Sequence, residues 1–256
     1  MRFTAATYNI HRCVGRNGDY SPSRTRDVLS EMDADIVAVQ EFDNRARYGR
    51  PDLEPEHLSE PLGMTCVSQP TLEDPRGGYQ ANLLLSRHPV GDVRHVDLGR
   101  SGPEVRRAIL ARVEMPAGPL VAVSTHLGLT VISRRRQARV LVEAVMDYAA
   151  DLPVVILGDF NEWLHVGGCH SILARRFDGG ERKPTFPVRA PLLPLDRAWV
   201  GGGLEIEDLQ VHHTEMSAIA SDHLPLVANV SASSSVDRTA NRTNRPGSDE
   251  TSTISP

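Results

Sequence analysis

Four short apolar stretches of this 256-residue chain run into side chains that handle metal ions, protons and phosphates. Asn9 and His11 follow residues 3–8, Gln40 and Glu41 follow 36–39, Thr125 and His126 follow 120–124, and Asp159 and Asn161 follow 154–157. A fifth stretch, 224–230, is instead preceded by Ser221, Asp222 and His223. Asp159 and Asn161, two residues apart on an extended segment, point the same way. If the last strand runs antiparallel to the others, Asp222 and His223 join the same edge, and polar groups gathered on one edge of a rigid core make a site. The set holds carboxylates, amides and imidazoles, with no Cys pair and no nucleophilic Ser on a tight elbow. Hard oxygen donors of this kind suit Mg²⁺, with Mn²⁺ as the alternative, and not a closed zinc site. A hard divalent ion beside imidazoles suits attack of water on a phosphoryl centre. Asp196 stands in an apolar run and could fix the tautomer of one imidazole through its other ring nitrogen.

Composition bounds the partners. Hydrophobic residues make up 40% of the chain and charged residues 24%, the profile of a globular protein. A formal net charge of -5 gives no broad electrostatic footprint for nucleic acid. Cys13, Cys66 and Cys169 are odd in number and scattered, so reduced thiols are expected, and with them a cytoplasmic location. Neither an apolar leader region nor a run of 18 apolar residues is present, so a soluble chain is expected.

The elements that must position these groups follow from pattern. Residues 154–157, Val-Val-Ile-Leu, predict a buried strand, with Gly158 expected to turn the backbone sharply. Ser21-Pro22 predicts a helix start, with Val28, Leu29 and Met32 on one face. Residues 132–150 carry the strongest helical period, with Val140, Leu141, Val145 and Tyr148 as its apolar members. Short strands are expected at 65–67, 81–86, 93–98, 108–114 and 120–124, then at 193–200, 206–211 and 224–230. Short helices are expected around 56–62 and 171–176. No internal repeat is visible. Residues 231–256 lack any apolar period and are expected to form a disordered tail beyond a single domain at 1–230. The expected architecture is a four-layer α/β/β/α sandwich, with two mostly antiparallel sheets packed face to face and helices outside.

Six blocks in order, Tyr8-Asn9-Ile10-His11, Val39-Gln40-Glu41, Ser124-Thr125-His126-Leu127, Gly158-Asp159-Phe160-Asn161, Leu195-Asp196-Arg197 and Ser221-Asp222-His223, resemble the endonuclease/exonuclease/phosphatase superfamily with its DNase I-like fold. The resemblance covers residues 1 to about 230. It implies that Glu41 is the principal Mg²⁺ ligand with Asn9 close by, and that Asp222 completes the metal and polar shell. It further implies that Asp159 and Asn161 position the attacking water and the phosphate. His223, held by Asp196, would be a general base or a phosphate-polarising imidazole, and His126 would bind the phosphate or protonate the leaving group. Arg106 and Asn82 fall where members place phosphate-side contacts, and His11 and Trp163 join them as substrate-side candidates. Asn161-Glu162-Trp163, Thr185-Phe186-Pro187 and Leu195-Asp196-Arg197 resemble compact bacterial members, some linked to phospholipid metabolism.

The expected activity is therefore Mg²⁺-dependent hydrolysis of a phosphodiester or phosphomonoester, the substrate being a small molecule or a phospholipid head group. A nuclease acting on DNA or RNA is the alternative, and a non-catalytic binding module keeping the fold is another. Duller roles stand beside these. Asn9 and Asp159 could be turn formers, and Arg134-Arg135-Arg136 could contact a polyanion or simply solvate a helix face. Trp163 could line a pocket or fill core, and Cys13, Cys169 and His170 lack zinc spacing.

Overall fold

β-branched and aliphatic runs form twelve strands in the computed structural model, which describes residues 1–233 apart from Gly49, Pro51, Pro103, His165 and Val166. The expected tail lies outside the described residues from position 234 onward. The strands are β1 (Arg2–Asn9), β2 (Ile36–Asp43), β3 (Thr65–Glu73), β4 (Tyr79–Ser86), β5 (Val90–Ser101) and β6 (Glu104–Met115), then β7 (Gly118–His126), β8 (Val154–Asp159), β9 (Asp178–Gly179), β10 (Asp196–Gly201), β11 (Leu204–Val211) and β12 (Leu226–Ala232). The helices are α1 (Pro22–Met32), α2 (Glu56–Ser59), α3 (Val131–Ala149), α4 (His170–Leu173) and α5 (Ser217–Ala220). The strands make two six-stranded sheets, ordered β11-β12-β1-β2-β4-β3 and β5-β6-β7-β8-β10-β9.

Within each sheet the pairing is antiparallel except once. β1 and β2 run parallel across α1, and β7 and β8 run parallel across α3. Two parallel neighbours joined by a helix bring both C-terminal ends to one edge. β12 is antiparallel to β1 and β10 is antiparallel to β8, so their N-terminal starts reach that same edge. Strands β5 to β10 thus repeat the arrangement of β11, β12, β1, β2, β3 and β4. This duplication has no counterpart in residue types, which is why no repeat is visible in the sequence.

Three apolar layers hold the sandwich. Ala38, Leu84, Ile109, Ala122, Leu157 and Val230 are among the side chains buried between the sheets. Val28, Leu29 and Met32 of α1 close over Val37, Val39 and Leu85 on one outer face. Ala138, Leu141 and Val145 of α3 close over Val121, Val123 and Ile156 on the other. Ser21 accepts a hydrogen bond from the Arg24 amide at 3.2 Å, with Pro22 opening the helix, and α1 ends at Asp33 in the left-handed region. Thr130 caps α3 by accepting from the Ser133 amide at 3.2 Å.

Two sequence expectations change. Gly158 makes no left-handed turn; a Cβ there would run into the Thr125 carbonyl of the neighbouring parallel strand. Close backbone approach, and not turning, is what requires the glycine. The buried face of α3 also extends beyond its apolar members: positions 134, 138, 141, 145 and 149 share one stripe, so Arg134 is fully buried. It is neither a solvated face nor a polyanion contact. Gly158→Ala is expected to lower unfolding free energy by about 1–3 kcal/mol, the usual scale of overpacking, read from urea denaturation.

Candidate active site

Six strand ends converge on the edge defined above. Asn9 ends β1, Glu41 lies near the end of β2, His126 ends β7 and Asp159 ends β8, while Asp196 opens β10 and Asp222 and His223 precede β12. Glu41 gets there through an irregularity. The β2–β4 register shifts between Val39 and Phe42, and Glu41 adopts φ 61°, a left-handed conformation costly for a residue with a Cβ. Asn161 is left-handed as well, at φ 50°. Strain of this kind persists where surrounding structure over-determines it, commonly at functional positions.

The Asn9 amide joins the two sheets. Its Nδ2 donates to Glu41 Oε1 at 3.2 Å and to Asp159 Oδ2 at 3.1 Å, while its Oδ1 accepts from the His11 amide at 3.1 Å. Asp159 Oδ1 accepts from the backbone N–H of Asn161 at 2.8 Å. The Asn161 Nδ2 donates to the Leu127 carbonyl and lies 3.0 Å from His126 Nε2. An amide N–H can only donate, so Nε2 accepts and the His126 proton sits on Nδ1. That Nδ1 is buried without a partner.

The two imidazoles differ in charge, one neutral and one cationic. Burial, with help from the Arg106 charge and against the pull of Asp159, pushes His126 down to about 3, so it is neutral at pH 7. Burial also opposes charge on His223. The Asp196 carboxylate outweighs it, through its charge and a 2.9 Å hydrogen bond to Nδ1, with Asp159 and Asp222 adding to the effect, and raises His223 to about 10. Its Nε2 lies 3.8 Å from Asp159 Oδ2. Asp196 Oδ2 also accepts from Thr185 Oγ1 at 2.6 Å, and the Phe186 ring packs 4.8 Å from the His223 ring.

Ligand atoms of Asp159, Asp196 and His223 lie within 4.8 Å of one another, close enough to hold a metal ion. Asp196 Oδ2 and His223 Nδ1 are themselves hydrogen-bonded to each other. The carboxylates Glu41 and Asp159, bridged by Asn9, form a second oxygen-rich corner of the edge. A cleft of about 720 Å³ lined by Met146, Leu152, Phe177 and Gly202 lies at the opposite end of β8, away from all of these groups.

The family model described as the Endonuclease/Exonuclease/phosphatase family matches residues 6–223. The chain belongs to this family. Uncharacterized protein YbhP of Escherichia coli strain K12 is 29% identical over 221 residues, covering 77% of this chain and 84% of its own. Among solved structures, an endonuclease/exonuclease/phosphatase from Beutenbergia cavernae superposes with a TM-score of 0.73 at 20% identity, over 91% of this chain and 72% of that one. The mannosyl-6-phosphatase Bt3783 of Bacteroides thetaiotaomicron superposes at 0.68 and 14% identity, over 90% of this chain and 99% of that one. The family, generally hydrolytic on phosphate esters, agrees with the DNase I-like sandwich described above.

The remaining expected residues divide. Arg106 is buried, holds Glu104 at 3.1 Å and influences His126, placing it beside the site. His11 lies with Nδ1 3.8 Å from Asp222 Oδ1, and Ser221 Oγ donates to the Asn9 carbonyl at 2.8 Å. Asn82 is buried and donates to the Arg107 carbonyl at 3.1 Å, a tie between the sheets. Trp163 is exposed, with its ring 4.7 Å from the Arg134 guanidinium, and so does not fill core.

Sequence reasoning assigned no role to the pair formed by Arg134 and Glu162, 3.1 Å apart and both buried. Glu162 also accepts from the amides of Leu164 and Cys169, and a Cβ at Gly168 would collide with it. Arg197 donates to the Glu162 carbonyl at 3.1 Å. These contacts pin the chain just after Asn161. The signal for them was available in the helical stripe that carries Arg134 inward.

Two outcomes are expected. Because the folded pKa of His223 lies above its unfolded value near 6.5, its ion pair contributes fully below that pH and is lost as pH rises through about 10. The urea midpoint should fall over that window, and Asp196→Asn should flatten the fall and lower the His223 pKa measured by NMR. Arg134→Met strands the Glu162 carboxylate and should cost about 3–5 kcal/mol of stability, read from the same denaturation curves.

Proposed function

We propose that this chain is a Mg²⁺-dependent phosphoesterase that cleaves a phosphodiester or phosphomonoester of a small or lipid-linked substrate by attack of water. The observation that carries the reading is the Asn9 amide binding the Glu41 and Asp159 carboxylates beside one neutral and one cationic imidazole. The donor chemistry fits the ion: carboxylate and amide oxygens with no thiolate among them. Glu41, Asn9 and Asp222 would hold it, and when bound it supplies positive charge that offsets the charge gathering on the phosphoryl oxygens. Mn²⁺ would serve the same donors.

This chain's own groups account for the rest. Asp159, its Oδ1 fixed by the Asn161 amide, accepts the proton of the attacking water. His223, kept cationic by Asp196, donates through Nε2 to a phosphoryl oxygen; a group protonated to about pH 10 is a poor base at pH 7. His126 offers a neutral Nδ1–H to the phosphate, and with a pKa near 3 it holds no extra proton, so the leaving oxygen takes its proton from solvent as the P–O bond breaks. Arg106, whose buried Nε has no partner, adds a second donor on that side. His11 braces Asn9 and Asp222, and Asn82 positions the start of β6.

Purified protein should hydrolyse members of a panel of aryl phosphodiesters, sugar phosphates and phospholipids with Mg²⁺ and none of them with EDTA. Glu41→Gln should abolish the Mg²⁺-dependent activity, and His223→Ala should lower kcat by about 10²–10³-fold, the range for losing one positioned donor to the developing charge. No hydrolysis of any phosphate ester with either metal, together with no Mg²⁺ binding by calorimetry, would overturn the reading.

A further inference from the structure

Among the described residues, the edge that carries the site also carries most of the large hydrophobic side chains that are exposed. Eight large hydrophobic side chains are exposed among the described residues, and every one except Met146 lies in a loop or first turn at this edge. Ile132 is 84% exposed, Leu192 74% and Leu129 63%. Leu129 and Ile132 follow His126, Trp163 follows Asn161, and Leu192 precedes Asp196. Leu129, Val131 and Ile132 are exposed within four residues, Arg134 donates to the Leu129 carbonyl and stacks on Trp163, and the Leu192 amide donates to the carbonyl of Phe186, whose ring packs on His223. Aliphatic tips held in water at a site mouth mark an interaction surface.

The opposite side of the same mouth is basic and aromatic. The guanidinium groups of Arg12, Arg45, Arg47 and Arg50 lie 4.9–5.8 Å from the centre of the Tyr48 ring, and Arg50 also covers Tyr20 at 3.7 Å. Among the described residues, Arg45 alone of these four has a carboxylate partner, Asp43 at 2.5 Å. Arg12 is held in place by three successive left-handed residues, His11 to Cys13, and its buried Nε has no partner. Its neighbour His11 links this collar directly to Asn9 and Asp222. A net charge of -5 thus coexists with a cluster of four arginines around Tyr48 at this edge.

The geometry points to a docking surface for an anionic phospholipid bilayer, laid so that a head-group phosphate enters the catalytic edge. Leucine and isoleucine tips suit the acyl boundary, tryptophan and tyrosine suit the head-group level, and arginine suits anionic lipid. A nucleic-acid strand would match the arginines and tyrosines but would leave Ile132, Leu192 and Leu129 without use. The head-group clause rests on the phosphoesterase reading; docking itself does not.

The test is co-sedimentation of the full chain, in EDTA, with vesicles of phosphatidylcholine alone or with one quarter phosphatidylglycerol. Binding is expected on the anionic vesicles, weakening as salt is added. Ile132→Glu with Leu192→Glu should lower the partition coefficient by at least about tenfold, given the loss of two buried aliphatic side chains. Trp163 is 43% exposed and Trp199 is 1% exposed, so the blue shift of fluorescence on binding should come from Trp163 and vanish in Trp163→Phe. Absence of vesicle binding, binding undiminished by the double variant, or binding of oligothymidine but not of vesicles would overturn the proposal. Because the assay excludes turnover, its failure leaves the phosphoesterase reading standing. A chain that docks yet hydrolyses nothing fails only the other.

Discussion

Everything at the polar edge depends on keeping carboxylates together in a place with little water. Glu41 belongs to one sheet and Asp159 to the other, and like charges brought close in a partly desolvated setting repel. The Asn9 amide answers this by donating one hydrogen to each. It can do so only because β1 lies parallel to β2 and faces β8 across the sandwich. Apolar packing between the sheets sets the distance, and the amide makes that distance tolerable. The left-handed Glu41 is the local cost of bringing its carboxylate to the shared corner.

The same burial has opposite consequences for the two histidines. His126 has a nearby cation, Arg106, and a donor amide on Nε2, so desolvation prevails and the ring stays neutral. His223 is just as enclosed but has Asp196 on Nδ1 and two further carboxylates nearby, so charge attraction prevails. One edge thereby holds a neutral donor and a cationic donor around a carboxylate acceptor. Neither state follows from residue type, since both are histidines next to short apolar strands.

Around this polar centre, positioning is delegated to buried pairs. Arg134 and Glu162 hold the chain that leaves Asn161, Thr185 shares the oxygen of Asp196 that holds His223, and Ser221 ties the start of the last strand to Asn9. The loops beyond these anchors carry exposed leucine, isoleucine, tryptophan and arginine. Rigid strand ends therefore hold the polar groups, while the outer loops carry the exposed side chains around them.

The sequence by itself determined every strand except the two-residue β9, the polar residues at the strand ends and the family. Alternation, β-branched runs and residue identity are local properties, legible without knowing what lies opposite. Asn9, Glu41, His126, Asp159, Asp196 and His223 were legible for that reason, and the structure brings them to one edge. Tertiary structure alone decided the rest. It set Gly158 against the Thr125 carbonyl, turned Arg134 inward to Glu162, repeated one strand order in two unlike sequences, and gathered arginines from separate loops around Tyr48 despite a negative total charge. Each depends on which backbone or charge stands across a gap, and that is a property of packing between distant segments, which no local pattern encodes.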